Sequence, residues 1–230
     1  MKVNIHQFII GILIIPVLYI LTGCSTMSMT NEQNSTPHSQ PPKPQTYVFE
    51  CDDTYSFVAR QENKVVWLFL PHKTVNLPQV PADSGLKYSE GKITFWLEND
   101  NAKLESENKH YEDCLNNRAR AIWEHAKLNG VDFRAVGNEP GWYLEIYEGM
   151  KIRFVADYGK VRYNDYYLPK PEIIPHALKT VYTFVIDEHE LEITIKGKSC
   201  RDTMVDEQYE STVTVDLDGK KYHGCGRPLH

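Results

Sequence analysis

Between Cys51 and Cys114 the chain brings a hydroxyl, a glycine and a cation close together in Ser84-Gly85-Leu86-Lys87-Tyr88, and the aromatic pair Phe95-Trp96 follows shortly after. A small hydroxyl beside a glycine can be displayed on a tight loop. A neighbouring ammonium can pair with a partner's carboxylate. Two cysteines enclosing an acidic, aromatic-rich stretch of alternating apolar residues suit a small stapled β-domain that presents such a loop. This is the chemistry of binding.

Catalysis has no comparable foothold. Carboxylates are plentiful, but nothing in their spacing pairs two of them across a cleft. The nine histidines are scattered, no CxxC or HxxxH spacing occurs, and no Gly-rich phosphate loop is present. The reading is therefore of a protein that is not an enzyme and carries no metal or cofactor. A net charge of −6 without a basic, aromatic-interleaved stripe argues against nucleic acid. From Tyr47 to Cys114, 12 Asp or Glu stand against 7 Lys or Arg, a balance that attracts a cationic protein.

The elements that position these groups begin with an address. Lys2 precedes an apolar run, Phe8 to Leu21, that ends in Leu21-Thr22-Gly23-Cys24. The run falls short of the ~20 residues that cross a bilayer as a helix. Its charged start and short apolar core predict an export signal over residues 1–23. Leu-Thr-Gly-Cys resembles the lipobox of bacterial lipoproteins. That resemblance implies cleavage before Cys24 and acylation of its thiol, palmitate included. Ser25 in place of Asp further implies sorting to the outer membrane, facing the periplasm.

With Cys24 lipidated, the odd cysteine of five is explained. Cys51, Cys114, Cys200 and Cys225 remain as two well-separated pairs, Cys51–Cys114 and Cys200–Cys225, which an oxidising periplasm would let close. Residues 24–46, rich in Ser, Thr, Asn, Gln and Pro, read as a lipidated, disordered tether.

The region 47–114 has short β-rich runs. Val65–Leu70 reads as a buried strand, and Lys92–Trp96 as a strand after the turn Ser89-Glu90-Gly91. A connector helix is expected over 115–132, from Leu115, Ala119, Ile122, Trp123 and Ala126 at helical spacing and an Asn129-Gly130 stop. A second, antiparallel β domain is expected over 133–230. Its hairpins are signalled at Glu148-Gly149 and Asp218-Gly219, with a further strand at Leu191, Ile193 and Ile195.

The ordered set Tyr47-x-x-x-Cys51, Ser84-Gly85, Lys87-Tyr88, Phe95-Trp96, Ala102, Leu104 and Tyr111-x-x-Cys114 resembles the membrane-bound lysozyme inhibitor of c-type lysozyme family. The resemblance implies an eight-stranded antiparallel β-barrel, closed by a Cys51–Cys114 disulfide, whose Ser-Gly loop plugs the lysozyme cleft. Ser84 would enter beside the catalytic acid, with Gly85, Lys87 and Tyr88 in the same binding set. The family's lysine, in Trp-x-Lys-Gly, is replaced here by Glu98 in Trp96-Leu97-Glu98-Asn99. That departure keeps an alternative open, an envelope binding or scaffolding lipoprotein that does not inhibit. The second domain, through Phe133-Arg134-Ala135-x-Gly137-Asn138-Glu139-Pro140-Gly141-Trp142, Cys200-x-Asp202-x-Met204 and Gly224-Cys225, is similar to an uncharacterised bacterial envelope domain.

Overall fold

The computed structural model describes residues 42–107 and 109–230. The expected signal peptide (1–23), Cys24 and most of the tether lie outside the described residues. The last two residues of the expected tether, Gln45 and Thr46, already belong to the first strand.

Eight antiparallel strands form a closed barrel in sequence order: β1 (Gln45–Glu50), β2 (Ser56–Glu62), β3 (Val65–Leu70), β4 (Lys73–Val80), β5 (Leu86–Glu90), β6 (Ile93–Glu98), β7 (Asn101–Ser106) and β8 (Lys109–Asn116). Alternation drives the closure, because every second side chain points into a barrel too narrow for anything but side chains. Phe49, Phe57, Val66, Leu68, Leu77, Tyr88, Phe95 and Leu104 fill it. Val65–Leu70, expected as a buried strand, is a strand buried on one face only: Val66 and Leu68 point inward, while Trp67 is 38% exposed on the outer wall. The turn into β6 lies one residue later than expected, at Gly91-Lys92.

The seam between first and last strands is short, with Phe49 opposite Asn116 and Glu50 opposite Leu115. The Cys51–Cys114 disulfide closes it. A closed loop of 63 residues stabilises by about 4 kcal/mol in the chain-entropy model.

Helix α1 spans Arg118–Leu128, shorter than the expected 115–132. Leu115 belongs to β8 and is exposed, because pairing with β1 claims the backbone there first. Asn117 then caps the helix, accepting from the Arg120 N–H at 3.0 Å. The buried face is Ala121, Trp123 and Ala126, whereas Ala119 and Ile122 are exposed. Of the expected stripe, Trp123 and Ala126 are buried, and Trp123 fixes the face because Arg134 and Arg227 lie over its ring, at 5.6 and 4.5 Å. The helix ends at Asn129-Gly130, with Gly130 at φ +80°.

A nine-stranded antiparallel sheet follows: β9 (Val131–Asn138), β10 (Gly141–Tyr147), β11 (Lys151–Ala156), β12 (Val161–Tyr167), β13 (Glu172–Ile174), β14 (Lys179–Ile186), β15 (His189–Lys196), β18 (Ser211–Leu217) and β19 (Lys220–Pro228). Its strand order is β12-β11-β10-β9-β19-β18-β15-β14-β13. The hairpins at Glu148-Gly149 and Asp218-Gly219 form β10–β11 and β18–β19. Trp142, Leu144, Phe154, Ile193, Val215 and Tyr222 carry its core. A separate ribbon, β16 (Cys200–Asp202) with β17 (Glu207–Tyr209), is stapled to β19 by Cys200–Cys225.

Candidate functional site

The Ser-Gly loop is the connection Pro81–Gly85 between β4 and β5. Those two strands pair through only Gln79–Tyr88 and Val80–Lys87, so the loop leaves the barrel wall early. Ser84 is exposed. Gly85 sits behind it at φ +62°, and a Cβ there would lie 2.7 Å from the Leu97 carbonyl oxygen. Only glycine allows both the left-handed turn and the close approach to β6. Ser84 is thereby held against the end of β6, where Glu98 is the last residue before the turn into β7.

Below the loop is a row of three side chains from three strands. Lys87 on β5 is directly opposite Trp96 on β6, and Trp96 is directly opposite Lys103 on β7. The Lys87 ammonium lies 4.9 Å from the Trp96 ring centroid. A cation over an indole face is attracted by the ring quadrupole, so Lys87 is held near the loop. Lys103 is exposed and reaches Glu112 at 3.8 Å, a loose surface pair.

The loop separates two clefts. One, about 360 Å³, is lined by Asp83, Ser84, Lys87 and Trp96. The other, about 510 Å³, is lined by Ser84, Trp96, Glu98, Lys103, Glu105 and Glu112, among others. Glu98 is exposed and shares the outer face of β6 with Trp96, two residues along. Carboxylates therefore dominate one side of Ser84, and the ammonium of Lys87 lies on the other.

Of the expected binding residues, the fold brings together Ser84, Gly85 and Lys87, with Glu98 beside them. Tyr88 is a correction. It is wholly buried in the barrel core against Phe95, at a centroid distance of 6.2 Å. Strand alternation requires this: if Lys87 faces out, Tyr88 faces in. Burial also pushes its phenol pKa up. Its place is under the loop, out of reach of a partner. Lys103 was not singled out in the sequence. The signal was present in the alternation of Ala102-Lys103-Leu104, but its place beside Trp96 depends on strand register.

Among the described residues no group of three or more His, Cys, Asp or Glu converges to hold a metal ion.

Residues 49–113 match the family model described as membrane-bound lysozyme-inhibitor of c-type lysozyme. The match covers nearly the whole barrel, where the motifs of the first domain lie. A curated relative from Yersinia enterocolitica serotype O:8, a membrane-bound lysozyme inhibitor of C-type lysozyme, is 36% identical over 91 residues. Those residues are 39% of this chain and 66% of the relative, so the chain spans just under two thirds of that protein's length. No solved structure is a significant match to the chain.

Proposed function

We propose that this chain is an envelope lipoprotein, anchored through Cys24, that inhibits c-type lysozyme by inserting the Ser84-Gly85 loop into the enzyme's cleft. The observation that carries the reading is the exposed Ser84 in a glycine-locked loop, with Lys87 held over Trp96 behind it. A c-type lysozyme works with one protonated and one ionised carboxyl. Ser84 hydrogen-bonds to the acid, and Lys87 pairs with the ionised partner in the water-poor cleft. Lys103, on the other side of Trp96, is a second cation within the same surface. The acidic surface around the loop steers a cationic enzyme toward it. Anchored in the outer membrane and facing the periplasm, such a protein shields the cell wall.

A second reading rests on Glu98. It is exposed beside Ser84, where it adds a negative charge against the enzyme's two carboxyls. Like charges brought together with loss of water repel strongly. On this reading the barrel is retained for binding or scaffolding without inhibition.

Titrating c-type lysozyme activity with the full-length protein separates the two. The inhibitor reading expects inhibition by wild type, weakened about tenfold or more by Ser84→Ala, and strengthened by Glu98→Lys. Absence of inhibition at micromolar protein by wild type and Glu98→Lys alike would sink it. Mass spectrometry of the mature N-terminus tests the anchor: an unmodified chain beginning at Met1 refutes processing at Cys24.

A further inference from the structure

The second sheet buries a charge that the barrel site does not use. Arg134 on β9 is 8% exposed and its Nη1 donates to Glu145 Oε1. Glu145, 5% exposed on β10, also accepts from the Tyr147 hydroxyl at 2.9 Å and from Arg153 Nη1 at 3.4 Å, both through Oε2. One carboxylate thus serves two guanidinium groups, and one positive charge is left over. The Arg134 Nε is buried without a hydrogen-bond partner among the described residues. Its guanidinium lies against the Tyr143 ring at 4.9 Å and the Trp123 ring at 5.6 Å. A desolvated cation with an unmet donor is costly to hold and gains from an arriving anion.

Next to this cluster, where β1 enters the barrel and α1 packs against β1 and β9, lies a cavity of about 720 Å³. Arg134, Arg153, Tyr47, Tyr143, Ile122 and His125 are among the residues that line it. Burial, and then the nearby Arg60 charge, pull the His125 pKa down against the opposing Glu145 charge, which favours the neutral imidazole and leaves anion binding to the arginines. Arg118 at the rim is already paired with Asp100. It is an open groove whose volume falls within the range of small-molecule pockets, and it combines apolar walls with a few convergent charges.

We propose that this junction cavity binds a small ligand of about a monosaccharide's size that carries a carboxylate or phosphate. The planar guanidinium of Arg153, with 43% of its side chain exposed, receives the oxyanion, and the surplus charge of the Arg134–Glu145–Arg153 cluster balances it. The Tyr47 and Tyr143 rings and Ile122 cover the body of the ligand. Its occupancy does not depend on lysozyme inhibition, since no residue of the Ser84 loop lines it.

Calorimetric titration of the full-length protein with glucuronate, glucose 6-phosphate and neutral glucose tests the site. Saturable binding of at least one anionic sugar is expected, with none for glucose. Arg153→Gln, at a half-exposed position, should weaken that binding about tenfold. A thermal melt of the variant checks its folding. The affinity of wild type should also fall as sodium chloride is raised. Equal binding of glucose, unchanged affinity in Arg153→Gln, salt-independent binding, or no saturation by any anionic sugar would each overturn the proposal. Preference for glucuronate or for glucose 6-phosphate tells which oxyanion the site takes.

Discussion

The barrel and the second sheet are both antiparallel, both built on alternation and both stapled by a disulfide, yet they handle charge in opposite ways. Among the described residues the barrel's interior is apolar apart from the Tyr88 hydroxyl, and its charges lie on the outer wall, most of them in water, with Arg60 there having 12% of its side chain exposed. The second sheet takes Arg134 and Glu145 out of water and stacks aromatics on the cation. A closed barrel of this size has no room for a polar network, so its recognition chemistry must lie on loops and on outward-facing positions. An open sheet crossed by a helix has a second, sheltered face, and there a charge can be held for a ligand.

The disulfides put the largest strain on this comparison. Cys51–Cys114 closes 63 residues and the short seam between the barrel's first and last strands, whereas Cys200–Cys225 closes 25 and ties a ribbon to a strand already paired on both sides. Replacing both cysteines of the barrel pair by alanine should cost about 4 kcal/mol and remove lysozyme-directed binding, against about 3.5 kcal/mol for the ribbon pair. Denaturant melts of the two double variants measure the ordering. A larger loss from the ribbon pair would show that the barrel does not rely on its seam.

Two glycines sharpen the contrast further. A Cβ at Gly224 would lie 2.0 Å from the Val136 carbonyl oxygen and 2.7 Å from the Trp142 ring, both fixed in the sheet. Gly224→Ala should therefore cost about 3 kcal/mol of stability. Gly85→Ala meets one carbonyl at the barrel's rim and a left-handed φ, which together should cost about 1–2 kcal/mol. Its larger consequence is functional, because a displaced loop moves Ser84. Loss of inhibition with a modest change in the melt is the expected result. Unchanged inhibition would mean that the loop's position does not matter.

The smallest effect concerns the junction. Arg120 holds Glu50 below the ordinary carboxylate pKa, and Arg118 does the same for Asp100. A folded-state pKa below the unfolded one gives stability that is full above the unfolded value, about 4, and is lost as pH falls through the folded value. Both carboxylates are well exposed, so the contribution is small. Glu50→Gln with Asp100→Asn should flatten the loss of stability between about pH 5 and pH 3. An identical slope in the double variant would remove these pairs from the account.

Local pattern already determined much of this protein. Alternation at Leu191, Ile193 and Ile195, the turn at Asp218-Gly219 and the stop at Asn129-Gly130 each depend on neighbours a few residues apart, and each is where the sequence indicates. The Ser84-Gly85 loop was legible for the same reason, since a glycine that needs a left-handed φ is a local demand. Tyr88, expected in the binding set, lies inside the barrel, where alternation beside Lys87 places it. On the helix, Trp123 and Ala126 are buried as their spacing predicts, but Ala121 takes the place of Ala119 and Ile122, because the face is set by the arginines that β9 and β19 lay over Trp123, which no helical periodicity reveals. Lys103 beside Trp96, and the two guanidinium groups sharing Glu145, were decided only by tertiary structure. Register and long-range packing set which charges meet, and the energy of a charge depends on what surrounds it in space.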